Sequence, residues 1–279
     1  MPVAVIDIGT NTTRLLVADV EDGEVTELER RTTITSLGQG VDATGRLAQE
    51  AMDRVAAAIG EYRELIDRLG AEPVVALATS AMRDSENGPE FRDLLRERFG
   101  IEARTISGDE EARLTFLGAT SGRDDDGESV VIDIGGGSTE YVVGRPGHEP
   151  TFHVSTQMGS VRFTERFDDL DEMATAVRET VPELSVERGI AVAGTATSLA
   201  AIDGADDVHG YRLSLPTCER LVAMLAALSV EERRHVRGLH PDRAPTIVAG
   251  AVILTESVRS IGLEAIEVSA RDILHGAAL

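Results

Sequence analysis

The segments VIDIGTNTTRLLVAD, beginning at Val5, and VIDIGGGSTEYVVG, beginning at Val131, carry one pattern twice: an apolar strand run ending in aspartate, a glycine-bearing turn, and a second apolar strand. Laying Asp133 on Asp7 matches Ile134 with Ile8, Gly135 with Gly9 and Glu140 with Arg14. An apolar run that breaks at glycine and resumes reads as a hairpin, and one hairpin repeated on this scale means that the chain builds a similar unit twice. The rest of the sequence agrees. Apolar positions at three- and four-residue spacing predict a helix over Gln49 to Leu69 stopped by Gly70, with Met52, Val55, Ala56, Ile59, Tyr62, Ile66 and Leu69 inward. PVVALATS and IEARTIS read as strands, and Asn87 with Pro89 starts a helix whose inner face is Phe91, Leu94, Leu95 and Phe99. GDEEARLTFLGA turns into a helix carrying Asp109, Glu110 and Glu111 in its first turn.

The polar stretch SGRDDDGES, 121–129, reads as a linker. After it VVIDI, EYVVG, TFHVS and GIAVAG read as strands and AIEVS as a last short one. Helices are expected over about 159–182, at TATSLAAID, over 217–236 and over the apolar 246–262. Strands alternating with helices, twice over, predict an α/β protein of two similar lobes, 1–122 and 123–279, with the last residues able to pack back on the first lobe.

Composition limits the chemistry. The net charge of -22, from 49 acidic and 27 basic residues, excludes non-specific nucleic-acid and anionic-membrane binding as the working expectation. The sequence contains no lysine, which removes P-loop and Schiff-base chemistry. No apolar run approaches the ~20 residues of a membrane span, and the opening MPVAVIDIG has no basic leader, so a cytoplasmic location is expected. Cys218 has no cysteine partner and reads as a helix residue; the six histidines form no triad.

A glycine turn between two strands lets backbone N–H groups face a shared concavity and a bulky anion approach without Cβ atoms in the way. Hydroxyls at Thr10, Thr12, Thr13, Ser138 and Thr139 add donors. Two such turns on matching strands suit gripping a phosphate chain. A third turn, AVAGTATS, is either a phosphate site at Gly194 and Thr195 or a plain strand-to-helix turn.

DIGTNTTRLLVAD, ATSAMRDSENG, ISGDEEARLTFLGA, VIDIGGGSTEYVVG and AVAGTATSLAAI together resemble, in order and over most of the chain, the exopolyphosphatase and guanosine pentaphosphate phosphohydrolase (Ppx/GppA) family, within the actin, sugar kinase and heat-shock chaperone superfamily. SGDEEAR with DIGGGSTE is the specific part. The resemblance implies two ribonuclease H-like lobes of the actin-like ATPase fold with an interdomain cleft, and release of terminal phosphate from inorganic polyphosphate, preferring short chains. Removal of phosphate from guanosine pentaphosphate, an ATP-driven conformational switch, and a binding module without turnover stay open. The absent lysine counts against a chaperone-type ATPase.

The resemblance also implies roles. Glu111 is the general base, and the positive end of its helix favours the ionised carboxylate. Arg83 serves the phosphoryl oxygens as a planar paired donor. Thr10, Asn11, Thr12, Gly136, Gly137, Ser138, Thr139 and Thr195 line the phosphates. Asp133 and Glu140, at the two ends of one turn, hold Mg2+ or another divalent cation such as Mn2+, with Asp7 as an outer-sphere contributor. Arg145, Arg162 and Arg243 cannot be sorted from sequence. Family members commonly pair, so a homodimer is compatible, and 246–262 is apolar enough for a core or an interface. The sequence departs from the family at SARDILHG, 269–276, where a glycine-leucine-arginine-glutamate-glycine run is usual, and it ends at Leu279, short of the helical domains of longer relatives.

Overall fold

The computed structural model describes residues 1–123 and 127–279. Residues 124–126, inside the expected linker, lie outside the described residues. In chain order the first elements are β1 (Val3–Ile8), β2 (Thr12–Glu21), β3 (Glu24–Ile34), α1 (Val41–Thr44), α2 (Gln49–Leu69), β4 (Val74–Ala78), α3 (Ser80–Arg83), α4 (Gly88–Phe99), β5 (Ala103–Thr105) and α5 (Gly108–Thr120). There follow β6 (Ser129–Ile134), β7 (Thr139–Gly144), β8 (Phe152–Thr156), α6 (Ser160–Arg166), α7 (Leu170–Thr180), β9 (Gly189–Val192), α8 (Ala193–Asp203), β10 (Arg212–Ser214), α9 (Leu215–Ala226), α10 (Val230–Arg233), α11 (Ile247–Ile261), β11 (Ala265–Val268) and α12 (Ile273–Ala278). One compact unit comprises Met1–Gly122 with Ile273–Leu279, and the other comprises Arg123–Asp272.

The sheet of the first lobe runs β3-β2-β1-β4-β5, with β1, β2 and β3 an antiparallel meander and β4 and β5 parallel to β1. All six residues of β1 are buried, as expected of a central strand covered on both faces. Asp22 and Gly23, both at positive φ, make the tight two-residue turn that joins β2 to β3. Helix α2 buries Val55, Ala56, Ile59, Tyr62 and Ile66 and stops at Gly70, whose φ of 63° takes the left-handed conformation. Three predicted details differ. Leu69 on α2 and Leu94 on α4 are 38% and 39% exposed rather than inward, and Asn87 does not cap α4 with its side chain. Its Oδ1 accepts from Leu47 N–H at 2.8 Å and its Nδ2 donates to Leu47 O at 3.0 Å, tying the start of α4 to the segment before α2.

The sheet of the second lobe runs β10-β11-β9-β6-β7-β8. Again the first three strands form a meander, and β9 and then β11 add in parallel. Its hydrophobic core draws on both sheet and helices, and α11 is buried at every residue from Ile247 to Val258, so the apolar run 246–262 serves the core of its own lobe. The expected single helix over 217–236 is two, α9 and α10, because Ser229 caps a new helix in a reciprocal box with Glu232. Cys218 lies on α9, fully buried, with its thiol pushed up to about 12 by desolvation.

The final helix, α12, belongs to the first lobe and packs on α5. A Cβ on Gly276 would lie 1.8 Å from Leu114 O, so this crossing requires glycine. Among the described residues no helix is long and apolar enough to cross a membrane.

A net charge of -22 on a folded chain of this size repels itself, and the repulsion is screened as the Debye length falls from about 30 Å at 0.01 M salt to about 3 Å at 1 M. The midpoint of thermal unfolding is expected to rise steadily as KCl increases over that range, measured by circular dichroism; a midpoint that is flat or falls would show that charge repulsion is not a governing term.

Candidate active-site groups

In the second lobe, β6 and β7 pair in a register that sets Asp133 directly opposite Glu140. Directly opposed residues of an antiparallel pair project from the same face with Cβ atoms about 5 Å apart. Both are buried, at 7% and 1% exposure. Glu140 Oε1 accepts a hydrogen bond from Ser155 on β8 at 2.7 Å. Two carboxylates side by side are hard oxygen donors, and like charges there favour a shared cation.

Between those carboxylates the turn is closed by Gly135 N–H donating to Ser138 O at 3.0 Å. Its carbonyls face the start of α6. Gly135 O accepts from Ser160 N–H at 2.9 Å, Gly136 O accepts from the N–H groups of Val161 at 2.9 Å and Arg162 at 3.1 Å, and Gly137 O accepts from Arg162 Nε at 2.7 Å. The N–H groups of Gly136, Gly137 and Ser138 donate to no protein group among the described residues. Thr139, by contrast, is fully buried and donates its hydroxyl to Met158 O at 2.5 Å.

The first lobe repeats this hairpin with different chemistry. Gly9 N–H donates to Thr12 O at 2.9 Å, and the register sets Asp7 opposite Arg14. Arg14 donates from Nε and Nη2 to Asp7 Oδ2 at 2.9 and 2.6 Å, so the place held by two acids in the second lobe is here an ion pair. Thr10 O accepts from Gly38 N–H at 2.8 Å, and Asn11 O accepts from the N–H groups of Thr35 and Ser36, each at 3.0 Å. Thr10 Oγ1 accepts from Ala81 N–H at 3.2 Å, which ties this turn to α3.

Helix α3 ends at Arg83, and α5 begins beside it. Ser107 caps α5 by accepting from Glu110 N–H at 3.2 Å. The two neighbouring glutamates then part. Glu110 is paired with Arg104, whose guanidinium holds the Glu110 carboxyl below its ordinary value. Glu111 turns inward, 8% exposed, and its Oε2 accepts from Arg83 Nη1 at 3.2 Å. The same Nη1 donates to Ile106 O at 2.9 Å. Arg83 and Glu111 are therefore brought together, a pairing across 28 positions that local sequence does not mark.

The third turn lies between β9 and α8. Ala193 there has a φ of 64°, a left-handed conformation costly for any residue but glycine. Thr195 is buried. A Cβ on Gly194 would fall 2.0 Å from the Arg243 guanidinium, so Arg243 sits at the start of α8. Of the arginines that sequence left unsorted, Arg162 reaches the glycine turn, Arg243 the start of α8, and Arg145 is exposed. Their chain neighbourhoods carry no distinguishing pattern; position alone separates them. In the atypical segment 269–276, Leu274 is fully buried against Val3, Val5, Leu16, Ala18 and Val25, and the buried His275 places Nε2 2.9 Å from Glu27 Oε1. The side chains of Leu274 and His275 in this segment are thus packed into the first lobe.

The sequence model of the Ppx/GppA phosphatase family matches residues 16–279. A protein named Exopolyphosphatase 2, from Mycobacterium tuberculosis, is 39% identical over 99% of this chain and 97% of its own length. Exopolyphosphatase 1 from Mycobacterium bovis is 30% identical over 96% of this chain and 84% of its own length. Among solved structures, the Aquifex aeolicus Ppx/GppA family member is similar with a TM-score of 0.81 and 29% identity, over 99% of this chain and 96% of that one. An exopolyphosphatase from Cytophaga hutchinsonii is similar with a TM-score of 0.91 and 28% identity, over the same shares. The two-lobed α/β architecture is accordingly the actin-like ATPase fold shared with those proteins.

Gly159, just before α6, is held against the glycine turn so closely that a Cβ would lie 2.4 Å from Gly136 O. Because the clash is with backbone, Gly159→Ala is expected to lower unfolding free energy by about 1–3 kcal/mol, read by urea denaturation; an unchanged midpoint and slope would show that the turn yields without cost.

Proposed function

We propose that this chain, which belongs to the Ppx/GppA phosphatase family, is a phosphoanhydride hydrolase that releases terminal orthophosphate from inorganic polyphosphate. The observation that carries the reading is the β6–β7 turn, with opposed Asp133 and Glu140 at its base and three amides turned away from α6. Relatives named as exopolyphosphatases over nearly the whole chain support it.

Glu111 is the proposed base. It takes a proton from a water whose oxygen bonds to the terminal phosphorus, while the bridging P–O bond breaks and its electron pair leaves on the shortened chain. Its support is a buried carboxylate in the amide-rich first turn of α5 beside the Arg83 guanidinium, which favours the ionised form. Arg83 fixes that carboxylate through Nη1, and its Nη2 supplies donors to a phosphoryl oxygen. The amides of Gly136, Gly137 and Ser138 and the turn at Thr10, Asn11 and Thr12 take further phosphate oxygens. Thr195 is proposed for a more distant phosphate.

Asp133 and Glu140 fit a divalent cation, magnesium or manganese, in the chemistry of their oxygens. Magnesium uses few protein carboxylates together with substrate and water, so a pair of acids suits it. When bound, such a cation neutralises charge on the phosphate oxygens. Asp7, already bonded to Arg14, is proposed only for the outer sphere. A preference for short chains is supported by the net charge of -22, which opposes a long polyanion.

Purified protein with magnesium is expected to release orthophosphate from short polyphosphate faster than from guanosine pentaphosphate or ATP. Faster release from either nucleotide would replace polyphosphate as the substrate. Glu111→Gln is expected to lower kcat by about 100-fold or more with little change in substrate binding, and near-normal turnover would remove Glu111 from the chemistry. Asp133→Asn is expected to shift the magnesium titration of activity to higher concentration; an unmoved curve would refute that ligand assignment.

A further inference from the structure

We propose that Arg162 is a positioning residue for the phosphate turn, acting through the Gly137 carbonyl to aim the Ser138 amide. The inference rests on the reading of the β6–β7 turn as a phosphate site, and concerns what orients it. A trans peptide is planar, so the C=O of one residue and the N–H of the next point in opposite directions. The peptides of this turn are trans, the one cis bond of the described residues being Glu72–Pro73. With Gly135 O, Gly136 O and Gly137 O all bonded on the side of α6, the N–H groups of Gly136, Gly137 and Ser138 must point away from it. The start of α6 thus spends its own amides on the turn and so turns the glycine amides toward an anion.

The three peptides are not held alike. Those after Gly135 and Gly136 are fixed by backbone donors of Ser160, Val161 and Arg162. The peptide after Gly137 is fixed by a side chain, Arg162 Nε at 2.7 Å. In the first lobe the corresponding carbonyl, that of Asn11, is held by the backbone amides of Thr35 and Ser36. Arg162 therefore does in one lobe what main chain does in the other. Glycine at 137 offers no side-chain resistance to a peptide flip, so losing the Arg162 donor releases this one plane and leaves the other two in place.

The test uses the full chain, imidodiphosphate as a probe whose P–N–P link resists hydrolysis, and amide NMR with magnesium present. In the wild type the Gly136, Gly137 and Ser138 amides are expected to shift on one saturable curve. In Arg162→Met the Ser138 shift is expected to vanish while Gly136 and Gly137 still respond, with half-saturation raised about 10-fold, the size of one charged hydrogen bond. Arg162→Lys, whose ammonium also donates, is expected to restore most of both, which a loss of folding would not allow. Polyphosphate release should follow as a higher KM with a smaller change in kcat. A Ser138 shift and affinity unchanged in Arg162→Met would overturn the assignment. So would an Arg162 Nε resonance that moves with the probe while Ser138 responds normally in Arg162→Met, since the arginine would then touch the anion itself. No response of the three amides in the wild type would instead sink the phosphate reading of the turn, and the inference with it.

Discussion

Each lobe depends on a hairpin whose turn is closed by one backbone hydrogen bond, Gly9 N–H to Thr12 O in the first and Gly135 N–H to Ser138 O in the second. Those bonds set the register of β1 with β2 and of β6 with β7. In a ladder with a two-residue period, a slip of one position would send every side chain to the opposite face. The register puts Asp7 opposite Arg14 and Asp133 opposite Glu140. Burial of both β6 and β7 along their whole length makes a slip costly, since neither face of either strand is solvated.

The same two positions then do different work. In the first lobe the pair is an ion pair: Arg14 Nε and Nη2 both donate to Asp7 Oδ2, and the side chains are nearly buried. Such a pair is expensive to break. In the second lobe two acids occupy the equivalent positions, one of them further bonded to Ser155, and a site of that composition gains from added positive charge. The duplicated fold thus supplies one scaffold position twice, and a single difference, arginine or glutamate, decides whether it carries an ion pair or two acids.

How much of this the sequence disclosed follows from how local the causes are. The hairpins, α2 with its Gly70 stop, and the buried strands are marked by continuous or periodic apolar residues. The strand β3 is not, because it lies at the sheet edge and buries only Val25 while its other residues are polar. The short β10, at an edge of the second lobe's sheet, escaped for the same reason. Asn87 looked like a helix cap because its residue type and its place before Pro89 suit one; its bonds to Leu47 come from forty positions away and leave no trace nearby. Within the candidate site, the carboxylates and glycines were legible as types at a turn. The pairing of Arg83 with Glu111 and the reach of Arg162 to Gly137 were not, since each joins segments more than twenty residues apart.

The absence of lysine and the net charge of -22 make anion recognition in this chain a physical problem with a narrow solution. A polyanion is not drawn by the surface field, so its binding must come from short-range donors. Backbone amides meet that need because their dipoles are fixed, add no net charge and cost little reorganisation when the carbonyls behind them are already bonded. Arginine adds planar donors that can be spent on a carbonyl as readily as on an anion. In this chain Arg83 bonds both a carbonyl and a carboxylate, and Arg162 bonds a carbonyl of the turn. Their first effect is therefore to orient other groups, a carboxylate in the one case and a peptide of the turn in the other.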